Sequence, residues 1–165
     1  MSRKRFTEMN CPAARALDEI GDWWTLLIVR EAFYGTETFS GFCDQLGIAK
    51  NILTDRLNAL VENGVMERGA AKPGAERGTY ALTDKGRALL PVLVALMQWG
   101  DRYVFGAGEE PLRVLDAHTK SPIAPIEVRA RDGRALTIED LRFRPGPGAS
   151  DETLARFAKA RKPRD

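Results

Sequence analysis

Lys50, Asn51, Thr54, Asp55 and Arg56 place hydrogen-bonding side chains close together in one short stretch. An asparagine amide can bond an adenine edge bidentately, and a lysine ammonium can reach guanine O6 and N7 or a phosphate. Asp55 repels phosphate, so it either accepts from a cytosine N4 or holds Arg56. A second basic group, Arg68, Lys72 and Arg77, is interleaved with glycines. Glycine lets a backbone approach a groove closely, so this group is expected to touch phosphates or a minor groove. Cys11 precedes Pro12, with Arg15 one turn on. A sulfur at the positive end of a helix and near a guanidinium is a candidate reactive thiol.

Other chemistries lack their parts. His118 is the only histidine, and no Cys or His stands at ligand spacing from it. A Ser-His or Cys-His nucleophile pair would have to use it. The carboxylate pairs Asp18-Glu19 and Glu109-Glu110 are adjacent, so on a helix they point about 100° apart and cannot flank a bond. Neither a Gly-x-x-x-x-Gly-Lys loop nor a Gly-x-Gly-x-x-Gly fingerprint occurs. The residues therefore predict no enzyme, no metal site and no cofactor, and they name no small-molecule effector.

These groups need elements to position them. Phe39, Phe42 and Leu46 recur at i, i+3 and i+7, one apolar stripe on a helix that Gly47 ends. A second helix after Ile48 carries Leu53, Leu57, Leu60 and Val61 on one face, leaves Lys50, Asn51, Thr54, Asp55 and Asn58 on the other, and closes at Asn63-Gly64. Two short amphipathic helices joined by a glycine-containing turn form the pattern of a helix-turn-helix. Val65 to Arg68 and Thr79 to Leu82 can pair as a hairpin whose tip holds Lys72 and Arg77.

The flanks are mostly helical. Pro12 opens a short helix with Cys11 as its N-cap, ended by Gly21. Trp23 to Tyr34 is apolar nearly all round, as suits a helix through the middle of a small domain, with Trp23 and Trp24 in the core. Cys43, beside Phe42, is expected to behave as a small hydrophobe. A long helix from Asp84 to Phe105, capped by Thr83 and kinked at Pro91, is apolar over a wide arc. Its Leu89, Leu93, Leu96, Met97 and Tyr103 exceed what one chain can cover, which predicts a homodimer interface. Short strands are expected at residues 112–115, 126–129 and 135–138, with Asp132-Gly133 at a hairpin turn.

The 165-residue chain is long enough for one domain with an appendage. Its net charge of +2 is too small to name a partner, so a nucleic-acid surface must come from local placement of Lys and Arg. Two cysteines exclude a disulfide scaffold. The charged start, Met1 to Arg5, has no apolar run after it, and residues 88–100 fall short of the ~20 a membrane span needs. A cytoplasmic protein with no membrane contact is expected.

Cys11-Pro12, Gly21-Asp22-Trp23-Trp24-Thr25, Leu57 to Gly64 and Leu82-Thr83-Asp84-Lys85-Gly86, in this order, resemble the HxlR-type winged-helix transcription regulators, relatives of the MarR group. The resemblance covers residues 8–105. It implies a homodimer on double-stranded operator DNA, with residues 49–63 as recognition helix and 65–82 as wing, and it implies an oxidant or electrophile response at Cys11. Some such regulators carry a Cys-x-x-Cys-Gly knuckle where this chain has Arg129-Ala130-Arg131-Asp132-Gly133. The expected fold class is mainly α with small β: a winged helix-turn-helix domain plus a small C-terminal β appendage. The expected domains are 1–105 for DNA binding and dimerisation, a linker at 106–111, a β-hairpin appendage like a degenerate zinc ribbon at 112–145, and a flexible tail at 146–165. A second reading is a winged-helix module that binds protein and not DNA; phosphate-driven salt dependence of duplex binding separates the two.

Overall fold

The computed structural model describes residues 6–70, 78–106 and 108–159. The chain divides into two compact units, one of Glu19–Ile126 and one of Met1–Asp18 with Glu127–Asp165. The linker expected at 106–111 thus lies inside the first unit.

Helix α1 (Pro12–Ile20) begins right after Cys11, whose carbonyl accepts from Arg15 N at 3.0 Å. In α2 (Trp23–Phe33), Asp22 is the N-cap and accepts from Trp24 N at 3.0 Å. Its buried Ile28 and Val29 run through the core. Trp24 packs against that core, but Trp23 is 76% exposed, which corrects its expected place in it. Trp23 opens the helix, and the apolar all-round pattern of α2 concealed which side of its first turn faces out.

Helix α3 (Phe39–Leu46) starts at Thr38, whose hydroxyl accepts from Gly41 N at 3.1 Å. It ends at Gly47 in the left-handed region at φ 60°, which glycine adopts at low cost. Helix α4 (Lys50–Glu62) follows α3 after three residues and buries Leu53, Leu57 and Leu60. These meet Phe42, Ile48, Val65, Met66, Tyr80 and Leu82 in one continuous core.

Strands β1 (Met66–Arg68) and β2 (Tyr80–Leu82) pair antiparallel, Glu67 opposite Ala81. Tyr80 N also donates to Glu37 O at 2.7 Å, joining the hairpin to the segment before α3. The next junction is tight. Thr83 Oγ1 donates to Gly64 O at 2.6 Å and accepts from Gly86 N at 3.2 Å, opening α5 (Asp84–Arg87).

The long helix expected from Asp84 to Phe105 is broken and not merely kinked. A turn at Ala88-Leu89 separates α5 from α6 (Leu90–Gly100), and a π-helical turn, Asp101–Phe105, follows. Pro91 lies in the first turn of α6, where its missing N–H costs nothing, so the proline starts a helix here. Gln98 then fastens the following segment, donating to Ala124 O at 3.2 Å and accepting from Ile126 N at 2.7 Å.

Beyond residue 106 the expected strands are not formed among the described residues. Isolated bridges join Leu115 to Pro122 and Arg129 to Ala135, the second closed by Gly133 at φ 85°. In the first bridge's turn, backbone N–H groups of Thr119 and His118 bond Asp116 and hold its carboxyl below the usual range. In the second unit a 3-10 turn, Ile138–Asp140, carries a Thr137/Asp140 capping box. Residues 151–159, expected as a flexible tail, form α7 (Asp151–Lys159). Ser150 Oγ accepts from Thr153 N at 3.3 Å, acidic residues open the helix and basic ones close it, which suits its dipole. Asn10 ties the N-terminal segment to this start, accepting from Ser150 N at 2.9 Å and donating to Gly148 O at 3.0 Å.

Candidate nucleic-acid interface

The apolar stripe of α4 faces inward, so the opposite side is presented outward. Asn51, Asp55, Asn58 and Glu62, at i, i+4, i+7 and i+11, are all exposed and form one row, with Lys50 exposed at its head. Ala49, the N-cap, offers no side-chain acceptor, so side chains leave the first N–H groups of α4 unsatisfied. A helix start of this kind favours an anion such as a phosphate. Thr54 is half-buried, and its hydroxyl donates back to Lys50 O at 2.8 Å, which fixes the rotamer and commits the hydroxyl hydrogen.

Arg56 does not join the outward row. Its Nη2 lies 3.0 Å from Asp22 Oδ2, so the arginine expected to face DNA or to be held by Asp55 pairs with the N-cap of α2. The sequence carried a signal for this. Arg56 stands three residues after Leu53 and four before Leu60, in line with the buried stripe.

Arg68, at the end of β1, donates through Nη2 to Asn58 Oδ1 and lies over the Tyr80 ring at 5.8 Å from its centroid. The base of the wing is therefore fastened to the outward row of α4 through Asn58, a residue the polar face contained but whose role its spacing did not reveal. Lys72 and Arg77 lie outside the described residues.

Cys11 is half-buried with a free thiol. The Arg15 guanidinium, one turn on, donates to Thr7 O. Cys43 is half-buried against the core as expected. At the position of the Cys-x-x-Cys-Gly knuckle, Arg129 pairs with Glu127 at 2.7 Å and donates to Gly133 O at 2.6 Å, while Asp132 accepts from Arg134 N at 3.0 Å.

The surface expected to dimerise splits in two. Leu93 is 5% exposed and belongs to the chain's own core, which corrects its assignment to an interface. Leu89 and Met97 are half-buried. Leu96 at 52% and Tyr103 at 63% are exposed, together with Leu90, Val92, Trp99, Val104 and Phe105. The split runs along α6 itself: the face with Leu93 and Val94 packs inward, and the face with Leu90, Leu96 and Trp99 is exposed. Among the described residues, no helix is long and apolar enough to cross a membrane.

The family model of the HxlR-like helix-turn-helix matches residues 19–106. An HTH-type transcriptional regulator of Mycobacterium tuberculosis is 40% identical over 135 residues, covering 81% of this chain and 85% of the relative. The crystal structure of PA1607, described as a candidate transcription factor, is similar at TM-score 0.78 and 46% identity, covering 84% of this chain and 97% of that one. The redox regulator HypR in its reduced form is similar at TM-score 0.51 and 27% identity, over 55% of this chain and 90% of that one.

Proposed function

The chain belongs to the HxlR-like helix-turn-helix family of transcriptional regulators, and on that footing we propose that it is a homodimer that binds a near-palindromic operator in the cytoplasm through α4 and the wing. The observation that carries this reading is the outward row of α4: Lys50, Asn51 and Asp55 exposed on the second helix of a helix-turn-helix, beside a first turn that no side chain caps. The N-terminal end of such a helix enters the major groove. Asn51 would read a base edge, Lys50 a guanine or a phosphate, and Asp55 a cytosine N4, since Arg56 is bonded to Asp22. Lys72 and Arg77 would touch the backbone or minor groove flanking that site, with Arg68 holding the wing to Asn58.

A dimer supplies two such helices and covers the exposed apolar face of α6 and the π-helical turn. Half-sites should then lie one helical turn apart, about 34 to 36 Å. Selection of bound duplexes from a random-sequence pool tests this: an enriched inverted repeat at that spacing supports the reading, and no enriched sequence contradicts it. On the enriched duplex, Asn51→Ala should cost about 1 to 3 kcal/mol and relax a single base position in each half-site. Lys72→Ala should weaken all duplexes alike. Equal losses on every sequence for both variants would contradict the assigned roles.

The same reading includes a response at Cys11. A peroxide would transfer one oxygen to the sulfur and leave as water; the sulfenic acid would condense with a second thiol, losing water and forming a disulfide. Cys43 packs against the core, so the second thiol would come from another chain or a small thiol. Duplex affinity that mild peroxide lowers in the unmodified chain and not in Cys11→Ser supports this response. Affinity unchanged by peroxide removes it.

A further inference from the structure

Hydrophobic contacts hold α4 down and decide which side of it faces in, but they set its rotation only coarsely. Leu53, Leu57 and Leu60 bury the helix in the core, and burial of apolar surface is non-directional. A side-chain tip ~6 Å from a helix axis moves about 1.5 Å for a rotation of ~15°, more than a bidentate bond to a base edge tolerates. Reading of bases by Lys50 and Asn51 therefore needs a directional contact elsewhere on α4.

Asp22 supplies one. Its Oδ1 accepts from Trp24 N at 3.0 Å and fixes the start of α2, while Oδ2 lies 3.0 Å from Arg56 Nη2 near the middle of α4. One carboxylate thus joins two helices, each through its own oxygen. The pair is set into the surface, with side-chain exposures of 31% for Arg56 and 18% for Asp22, and Arg56 Nε is buried without a protein partner.

We infer that Arg56 is a positioning residue that fixes the rotation of α4 through Asp22, and that it sets how well operator is told from other DNA without touching DNA itself. This rests on the DNA-binding reading above. Arg56 in contact with a phosphate would instead add to affinity for every sequence and to its salt dependence.

The two roles separate in one experiment. The probes are a duplex selected from a random pool by the unmodified chain and a shuffled duplex of equal length, each titrated at several salt concentrations. Asp22→Asn keeps an N-cap acceptor for α2 and removes the charge; Arg56→Gln removes the cation. Each should lower the ratio of selected to shuffled affinity roughly tenfold, the size of one base contact. The double variant should lose no more than either single one, Arg56→Lys should recover part of the ratio, and the log-log salt slope should match that of the unmodified chain. An Arg56→Gln slope shallower by about 1, with Asp22→Asn unaffected, identifies a phosphate contact and overturns the inference. So do unchanged ratios in both variants of a chain that discriminates. If the unmodified chain binds no duplex at all, the DNA-binding reading fails, and this assignment with it.

Discussion

The double substitution Leu96→Asp with Tyr103→Asp yields a folded monomer whose affinity for a two-half-site duplex falls roughly 10²-fold or more, since the second half-site is no longer held at high effective concentration. Both side chains are largely exposed in the single chain, so new carboxylates there remain hydrated and cost the fold little. In a dimer packed through α6 they would be buried, unpaired and facing their own copies. Leu93→Asp, three residues before Leu96 and inside the core, unfolds the chain instead. Sedimentation with circular dichroism distinguishes the outcomes. A double variant that is folded and sediments as a dimer would place the interface elsewhere.

Gly86→Ala lowers stability by about 3 kcal/mol, the upper end for overpacking, because the added carbon collides with backbone that cannot swing aside. A Cβ at Gly86 would press into the carbonyl oxygen of Val65, with Leu82 Cδ2 at 3.0 Å and the Val65 carbonyl carbon at 3.3 Å. That same oxygen accepts from Thr83 N at 3.1 Å, so displacing it opens the junction between wing, α4 and α5. Urea unfolding measures the loss. A variant within about 0.5 kcal/mol of the unmodified chain, the range of ordinary surface changes, would show that this approach is not tight in solution.

Much of the helix-turn-helix and hairpin was legible because local rules decide it. Gly47 marks the end of α3, the Leu53, Leu57 and Leu60 stripe fixes which side of α4 is buried, and the two strands fall within the segments expected to pair as a hairpin. The Leu82 to Gly86 motif was visible as letters, but its reason, a threonine bridging to Gly64 and a glycine against Val65, depends on residues about twenty positions away. Partner choice by long side chains was hidden for the same cause. Arg56 and Arg68 look alike as basic residues near a polar face, yet one turns to Asp22 and the other to Asn58.

The apolar residues from Leu89 to Val104 read as one helical surface, whereas the two faces of α6 divide them, Leu93 lying in the core and Leu90, Leu96 and Trp99 exposed. Residues 146–165 read as a flexible tail, whereas Ser150 caps a helix whose acidic start and basic end stand in the sequence. The β appendage failed because short apolar runs with few neighbours to pair with form isolated bridges and not ladders.

The exposed row of α4 and the wing are expected to meet the phosphates and bases of a duplex. Equilibrium binding of the full chain to a duplex selected from a random pool, followed as salt is raised from about 50 to about 200 mM, tests it most directly. About six phosphates neutralised per dimer would lower affinity on the order of 10³-fold across that range, with a linear log-log slope. Binding that is absent at the lowest salt, or indifferent to salt throughout, would contradict the account.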